Sequence, residues 1–304
     1  MITGGCGFIG SVLTRVLIEN HYEVITYDVR KWKYEDLPGL KVLFGDTLEG
    51  NHLKGVIRDV DMVFHLAAIP FIPDGYINPR KVIETDVIGT LNVLLALKEH
   101  KVPLVHYSSS EVYGNSVYNP LDEKHQTVPR STYAVGKLSA ERLSFTFCHE
   151  HDIPFSILRQ FNVYGPDDTH PRLIPVIISQ LYNGDTVKLG HIYTSRDFTY
   201  VTDAVDACLR TINNPKVLGE TINIGSNKTV RGVDLVPMIA KKMNKTAKIE
   251  EDESKLRPLD VDVLCANNSK ARQLLGWEPK IALSDGLDSI IEWRKTHKFE
   301  WEDN

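Results

Sequence analysis

Met1-Ile-Thr-Gly-Gly-Cys-Gly-Phe-Ile-Gly10 is the stretch on which the fold turns. Gly4, Gly7 and Gly10 recur at every third position. At a strand-to-helix turn their missing side chains let the backbone approach a pyrophosphate at the positive end of a helix. Alone, the spacing also suits an ordinary tight turn. Asp28, at the end of the second expected strand, sits close to the offset of ~20 residues where a carboxylate accepts hydrogen bonds from an adenosine ribose diol. The pair is much stronger than either part. An acid there repels a 2′-phosphate and favours NAD over NADP, while nearby Arg30 keeps NADP open. Phe8 and Ile9, between the second and third glycines, belong to the same cofactor-binding set. Only a stub of strand precedes the glycines, which leaves two accounts: residues ahead of Met1, or a shortened strand at the sheet centre.

Outward from this turn, a helix is expected over residues 11–20. Apolar strands come next at 23–27, 41–44, 62–66, 104–108 and 155–160, separated by helix-length stretches. That alternation predicts an α/β fold with a doubly wound parallel Rossmann sheet. Residues 78–100 and 131–150 carry apolar side chains at helical spacing and are long enough to leave spare faces, which suits a homodimer interface. Beyond Gly165 the rhythm breaks at Pro166, Pro171 and Pro175, with a helix at 174–182 and a strand at 186–189. A strand at 220–224 returns to the main sheet. The division is therefore a cofactor domain over 1–165, with a returning strand near 220–226, and a smaller C-terminal α/β lobe over 166–304, interleaved along the chain.

The 304 residues are 42% hydrophobic and 25% charged, as in a globular protein with a substantial core. A formal net charge of −5 gives no broad basic surface, so nucleic acid and anionic membrane are excluded as general partners and any phosphate must be held locally. Cys6, Cys148, Cys208 and Cys265 lack metal-type spacing and read as reduced thiols, with no metal site. No apolar run approaches the ~20 residues that span a bilayer, and the start does not resemble a signal peptide, so the expected compartment is the cytoplasm.

Tyr133-Ala-Val-Gly-Lys137 places a phenol and an ammonium one helical turn apart on one face. A neighbouring cation lowers a phenol's pKa, so the pair is read as bringing tyrosinate near neutrality, ready to take a proton from a substrate hydroxyl as hydride leaves. Ser109, ending the strand before this helix, supplies a hydroxyl for the same oxygen. Asp46 and Thr47 after the third strand, and Leu66, Ala67 and Ala68 after the fourth, are expected to line the adenine and nicotinamide sides, although turn chemistry alone also explains them.

The glycine cluster, Asp28, Ser109, Tyr133 and Lys137, in this order, resemble the extended short-chain dehydrogenase/reductase family over nearly the whole chain. Further matching stretches are His65-Leu-Ala-Ala68, Gly89-Thr-Leu-Asn92, Asn162-Val-Tyr-Gly-Pro166, Arg196-Asp-Phe-Thr-Tyr-Val-Thr-Asp203, Asn223-Ile-Gly-Ser226 and residues 269–279. Asp86 departs from the pattern, since many members carry Asn there, and an amide donor is replaced by an acceptor. The resemblance implies a nucleoside diphosphate sugar as substrate, with Ser109 at the sugar and Asn162, Arg196 and Arg257 at the diphosphate. Ion pairing of Arg196 with Asp197 or Asp203 is the alternative. It also implies oxidation of the sugar at C4 by NAD as a shared first step.

Glu111 narrows the choice of later steps. Similar 4-epimerases usually hold a small neutral residue there, whereas in similar 4,6-dehydratases this Glu removes the C5 proton before water leaves from C6. Some dehydratases carry Asp then Glu; here Ser110 precedes Glu111, so Glu111 is expected to act as both acid and base, with Ser110 as relay. The leading expectation is an NAD-dependent nucleotide-sugar 4,6-dehydratase. A nucleotide-sugar 4-epimerase is next and a UDP-glucuronate decarboxylase third; an NAD-sensing regulatory protein is the reading without catalysis. UDP, GDP, CDP and dTDP stay open as the nucleotide, and His170 and Arg172 receive no role.

Overall fold

The computed structural model describes residues 1–303. Its centre is a seven-stranded parallel sheet built from β1 (Ile2–Thr3), β2 (Val24–Asp28), β3 (Leu40–Phe44), β4 (Val63–His65), β5 (Leu104–Ser109), β6 (Phe155–Gln160) and a strand at Thr221–Ile224. The spatial order runs from the Thr221–Ile224 strand through β6, β5, β4, β1 and β2 to β3, so the winding reverses at β1. The two-residue β1 suffices because it pairs on both sides, Ile2 with Thr26 and with Phe64.

Side chains alternate between the two faces with the strand period of two. Ile2, Phe64 and Val105 enter one core with Leu13 and Leu17 of α1 (Phe8–Glu19). Met1, Val63 and Leu104 enter the other with Leu53 of α2 (Gly50–Ile57). A sheet buried on both faces explains the near-continuous apolar strands. Residues 78–100 do not form the single helix expected. Short α3 (Ile72–Ile77) and α4 (Pro79–Ile83) lead into a π-helical turn at Glu84–Ile88, and α5 (Gly89–Leu97) comes after it. The wider turn places Asp86 inside the protein. α6 (Thr132–Glu150) is one long helix, its first turn capped by Ser131, which accepts from the Ala134 N–H at 3.1 Å.

The later segments form small sheets around β9. β7 (Asn162–Tyr164), β9 (Ser195–Tyr200), β11 (Thr229–Arg231) and β13 (Val263–Leu264) make one, and β8 (Thr186–Leu189) pairs with β12 (Lys248–Glu251); β10 is the Thr221–Ile224 strand already placed in the main sheet. Helix α7 (Leu173–Asn183) packs over them through Ile174, Ile177 and Ile178. α8 (Val201–Leu209) instead joins the first core, with Val205 and Cys208 beside Leu13, so the chain returns to the main sheet twice. Asp197 ties these parts together, accepting from Ser226 N at 2.7 Å, Asn227 N at 2.9 Å and Ala266 N at 3.0 Å.

Candidate functional site

The carboxyl ends of the parallel strands open into a cleft of about 1460 Å³ at the point where the winding reverses, the usual ligand position in such sheets. Every residue assigned to the site from sequence lines it. Gly4 has φ +74°, and a Cβ there would lie 2.7 Å from Ala67 N; a Cβ on Gly10 would lie 2.1 Å from the Gly4 carbonyl oxygen. The α1 N-terminus is thus pressed against the loop carrying Leu66, Ala67 and Ala68 with no room for a methyl group. Gly7 is the N-cap of α1 with no side-chain cap, so no side chain of the cap screens the end of the helix.

Asp28 is buried at the end of β2, where one carboxylate oxygen accepts from Cys6 N and the other from Arg30 N, each at 2.8 Å. Burial pushes its carboxyl above the ordinary range against the pull of those N–H groups. Each oxygen keeps a further lone pair for a ribose hydroxyl. The Arg30 guanidinium pairs with Glu300 at 3.4 Å. The segment after Asp28 crosses to the second lobe: Tyr34 donates to Asp167 and shares a 3.2 Å hydrogen bond with Ser11, and Lys33 meets Asp167 at 2.8 Å. Asp46 also closes its own turn, accepting from Leu48 N at 2.9 Å, and the Thr47 carbonyl accepts from Asn92 at 3.0 Å. These residues combine turn chemistry with a place in the cleft wall. The glycine cradle and the paired acceptors of Asp28 fit a dinucleotide. Phe8 and Ile9, the first residues of α1, line the cleft beside the glycines.

Ser109 ends β5 and caps a short 3₁₀ turn at Ser110–Tyr113, its hydroxyl accepting from Glu111 N at 3.2 Å. That turn swings Ser110 and Glu111 over the cleft, facing Tyr133 and Lys137 on the first turns of α6. A hydrogen bond from Ser109 lowers the Tyr133 pKa, and the Arg172 charge helps; burial, with Asp86 and Glu111 adding, outweighs both and holds the phenol well above its ordinary value. The place of Lys137 one turn along α6 does not by itself offset that burial. Lys137 donates to the Tyr107 carbonyl at 2.5 Å, and burial pushes its ammonium down, opposed by Asp86 and Glu141.

Glu141, one turn beyond Lys137, holds α6 against the sheet. It accepts from Arg159 at 2.6 and 3.0 Å and from Ser108 at 2.7 Å, with both charged side chains fully buried. No motif in the chain announces this pair; its signal is the buried position of a charge on each of two elements.

At the far side of the cleft, Arg196 on β9 pairs with Asp260 at 3.0 Å, not with Asp197 or Asp203. Those two accept backbone N–H groups, Asp203 from Lys280 and Ile281. Arg257 lies 3.8 Å from the same Asp260, so two guanidiniums share one carboxylate and keep donors for an anion. Asn162 on β7 lines the same cleft. Burial raises the Glu111 carboxyl above its ordinary range, while Arg196 and Arg257 draw it back. Sequence reading assigned no role to Arg172, yet it enters the cleft at the α7 N-terminus, bound to buried Asp168, and its charge reaches Tyr133. Its neighbour His170 is kept neutral by burial and by Arg172, its pKa pushed down to about 3.

A family model described as GDP-mannose 4,6 dehydratase matches residues 1–290. UDP-glucuronic acid decarboxylase 5 of Arabidopsis thaliana is 34% identical over 96% of this chain and 88% of its own length. The dTDP-D-glucose 4,6-dehydratase of Homo sapiens is 28% identical over 99% of this chain and 91% of its own. Among solved structures, UDP-glucuronic acid 4-epimerase from Bacillus cereus in complex with UDP-glucuronic acid and NAD superposes with a TM-score of 0.88 at 30% identity, covering 97% of this chain and 98% of its own. Geometry and comparisons agree, and the chain belongs to the extended short-chain dehydrogenase/reductase family of NAD-dependent nucleotide-sugar dehydratases, decarboxylases and epimerases.

Proposed function

We propose that this protein is a nucleotide-sugar 4,6-dehydratase with NAD as its cofactor. The observation that carries the reading is the placement of Glu111. Its carboxyl reaches the cleft beside Ser109 and Tyr133, raised by burial and drawn back by two arginines. A group so placed has both protonation states within reach, as a residue that takes one proton and gives another requires.

Gly4, Gly7 and Gly10 would cradle the pyrophosphate and Asp28 the adenosine ribose, with Phe8, Ile9, Asp46, Thr47, Leu66, Ala67 and Ala68 forming the walls. Bound NAD supplies a hydride acceptor for sugar C4 and, at the end, a hydride donor for C6. Tyr133 takes the C4 hydroxyl proton, and Ser109 holds that oxygen. A C4 ketone acidifies C5–H. Glu111 removes this proton and passes it to the C6 hydroxyl, with Ser110 as relay, and water departs. As hydride enters C6, a proton that Glu111 takes up from solvent returns to C5, matching the one Tyr133 received from the C4 hydroxyl and releases. Lys137 supplies positive charge behind Tyr133. Arg196, Arg257 and Asn162 hold the diphosphate, where guanidinium forks suit phosphate oxygens.

Arg172 favours a second reading. A guanidinium this near Tyr133 suits the carboxylate of a uronic acid, and a decarboxylase would then lose carbon dioxide from C5 after the same first step. The 34% identity to a UDP-glucuronic acid decarboxylase supports it equally. The cofactor lobe over 1–165 with its returning strand, the substrate lobe over 166–304 and a cytoplasmic location complete the proposal. So does a homodimer through the exposed apolar residues Ile88, Leu95 and Val135 of the π turn, α5 and α6.

Mass spectrometry of a panel of nucleotide sugars after incubation with enzyme and NAD tests these readings together. Loss of one water that disappears in Glu111→Gln is the expected result. Loss of carbon dioxide from a uronate would establish the decarboxylase, and an unchanged mass with inverted C4 the epimerase.

A further inference from the structure

The π turn buries a carboxylate that takes no part in the proposed proton and hydride transfers. Asp86 is 1% exposed. One of its carboxylate oxygens accepts from Ile69 N at 2.8 Å, while the other is buried with no hydrogen-bond partner. A Cβ built on Gly136 of α6 would stand 3.5 Å from that second oxygen, so the carboxylate lies against the helix between Tyr133 and Lys137. Its backbone is fixed as well: the Asp86 carbonyl accepts from Thr90 at 2.6 Å, and Thr90 bonds the neutral, buried His65 at 2.8 Å. A buried polar atom left without a partner costs stability, so its retention calls for a reason.

Of the two anions that act on Lys137, one is uncommitted. Asp86 and Glu141 both favour its ammonium, but Glu141 is neutralised by Arg159 at 2.6 Å. From α6, Lys137 and Tyr133 face Asp86; from β4 and β5, His65 and His106 are uncharged; the Ile69 loop brings a backbone N–H. We propose that Asp86 is a positioning residue, the buried counter-charge that sets the proton affinities of Tyr133 and Lys137 together. Asn at this place would keep the Ile69 contact and lose the charge. Burial raises the Asp86 carboxyl to about 6, so the counter-charge is present above that pH and fades below it.

The direction is set by the charge. Removing an anion lowers the pKa of both the phenol and the ammonium. In Asp86→Asn, both limbs of the pH profile for NAD reduction by a nucleotide sugar should move to lower pH, by about one unit for a single charge a few ångströms away. The two proteins should converge below about pH 6. This shift of the profile rests on the proposed C4 oxidation. Competitive acetylation of Lys137, read by peptide mass spectrometry in the NAD-bound enzyme without sugar, does not: its half-reactive pH should fall by a similar amount in the variant. An unmoved Lys137 titration in a folded Asp86→Asn protein overturns the inference. So does loss of activity in Asp86→Ala fully restored by Asn with the wild-type profile, since that is a structural role. Should Asp86→Asn not fold, Lys137 acetylation in the wild type decides alone. An extra inflection near pH 6 supports the proposal, and a single unperturbed ammonium curve refutes it. A shifted Lys137 titration with no sugar reducing NAD would refute the proposed reaction and leave the counter-charge standing.

Discussion

Replacing Glu141 by Ala leaves the Arg159 guanidinium in the interior without its carboxylate. Both side chains are almost wholly buried, at 1% and 3% exposure, and the carboxylate accepts three hydrogen bonds at 2.6, 2.7 and 3.0 Å. Breaking such a pair from one side typically costs about 3–5 kcal/mol, because the survivor's charge stays desolvated. Arg159 keeps a 3.0 Å hydrogen bond to the Tyr113 hydroxyl and lies over the Tyr113 ring at 4.8 Å, which places the loss at the lower end, about 3 kcal/mol. Urea unfolding followed by circular dichroism and by tryptophan fluorescence measures it, coincidence of the two curves licensing a single free energy. The double replacement Glu141→Leu with Arg159→Leu removes both charges and should lose less than Glu141→Ala alone. A Glu141→Ala protein within about 1 kcal/mol of wild type would refute the reasoning and mean that water reaches Arg159. The consequence reaches the chemistry because Glu141 shares α6 with Tyr133 and Lys137 and also holds Ser108, the residue before Ser109.

Gly4→Ala sets a methyl group 2.7 Å from the Ala67 backbone at a φ of +74°, so the purified variant should retain far less NAD, measured by the nucleotide released on denaturation; full retention would show that the cradle yields. His65 accepts and donates between Thr3 and Thr90 and its pKa is pushed down to about 3 by burial, whereas the unfolded chain protonates it near 6.5. Its stability contribution is full above pH 6.5 and is lost as the pH falls. Between pH 7.5 and 5 the wild type should therefore lose about 2 kcal/mol more than His65→Gln in urea titrations.

The sheet was legible because its signals are local. Alternating apolar runs, Gly4, Gly7, Gly10 and Asp28 each act within a few residues of their position, and the strand at Thr221–Ile224 betrays itself by composition. The helix over residues 78–100 misled because periodicity cannot tell an α-turn from a π-turn; one extra residue per turn at Glu84–Ile88 keeps the apolar pattern while turning Asp86 inward. The state of Tyr133 is hidden from the sequence for a different reason. Spacing on α6 places Lys137 near it, but whether the ammonium or burial controls the phenol depends on Tyr107, Asp86 and Glu111, which arrive from three other elements.

The choice of reaction is distributed along the chain in the same way. The proposed first step at C4 would need only groups from β5 and α6, which share one wall of the cleft. The groups that would act beyond it come from separated segments: Glu111 after β5 and Arg172 at the start of α7 for the sugar, Arg196 on β9 and Arg257 with Asp260 before β13 for the diphosphate. Glu111 is raised by burial and lowered by Arg196 and Arg257, so a substrate diphosphate that occupies those arginines would remove their pull and lift the carboxyl further. Bound substrate would thus raise the proton affinity with which the ionised carboxylate takes the proposed C5 proton. The nucleotide end of the ligand would tune the carboxyl proposed to act at the sugar end, a coupling that arises only when the turn after β5 and the arginines on and after β9 line one cleft.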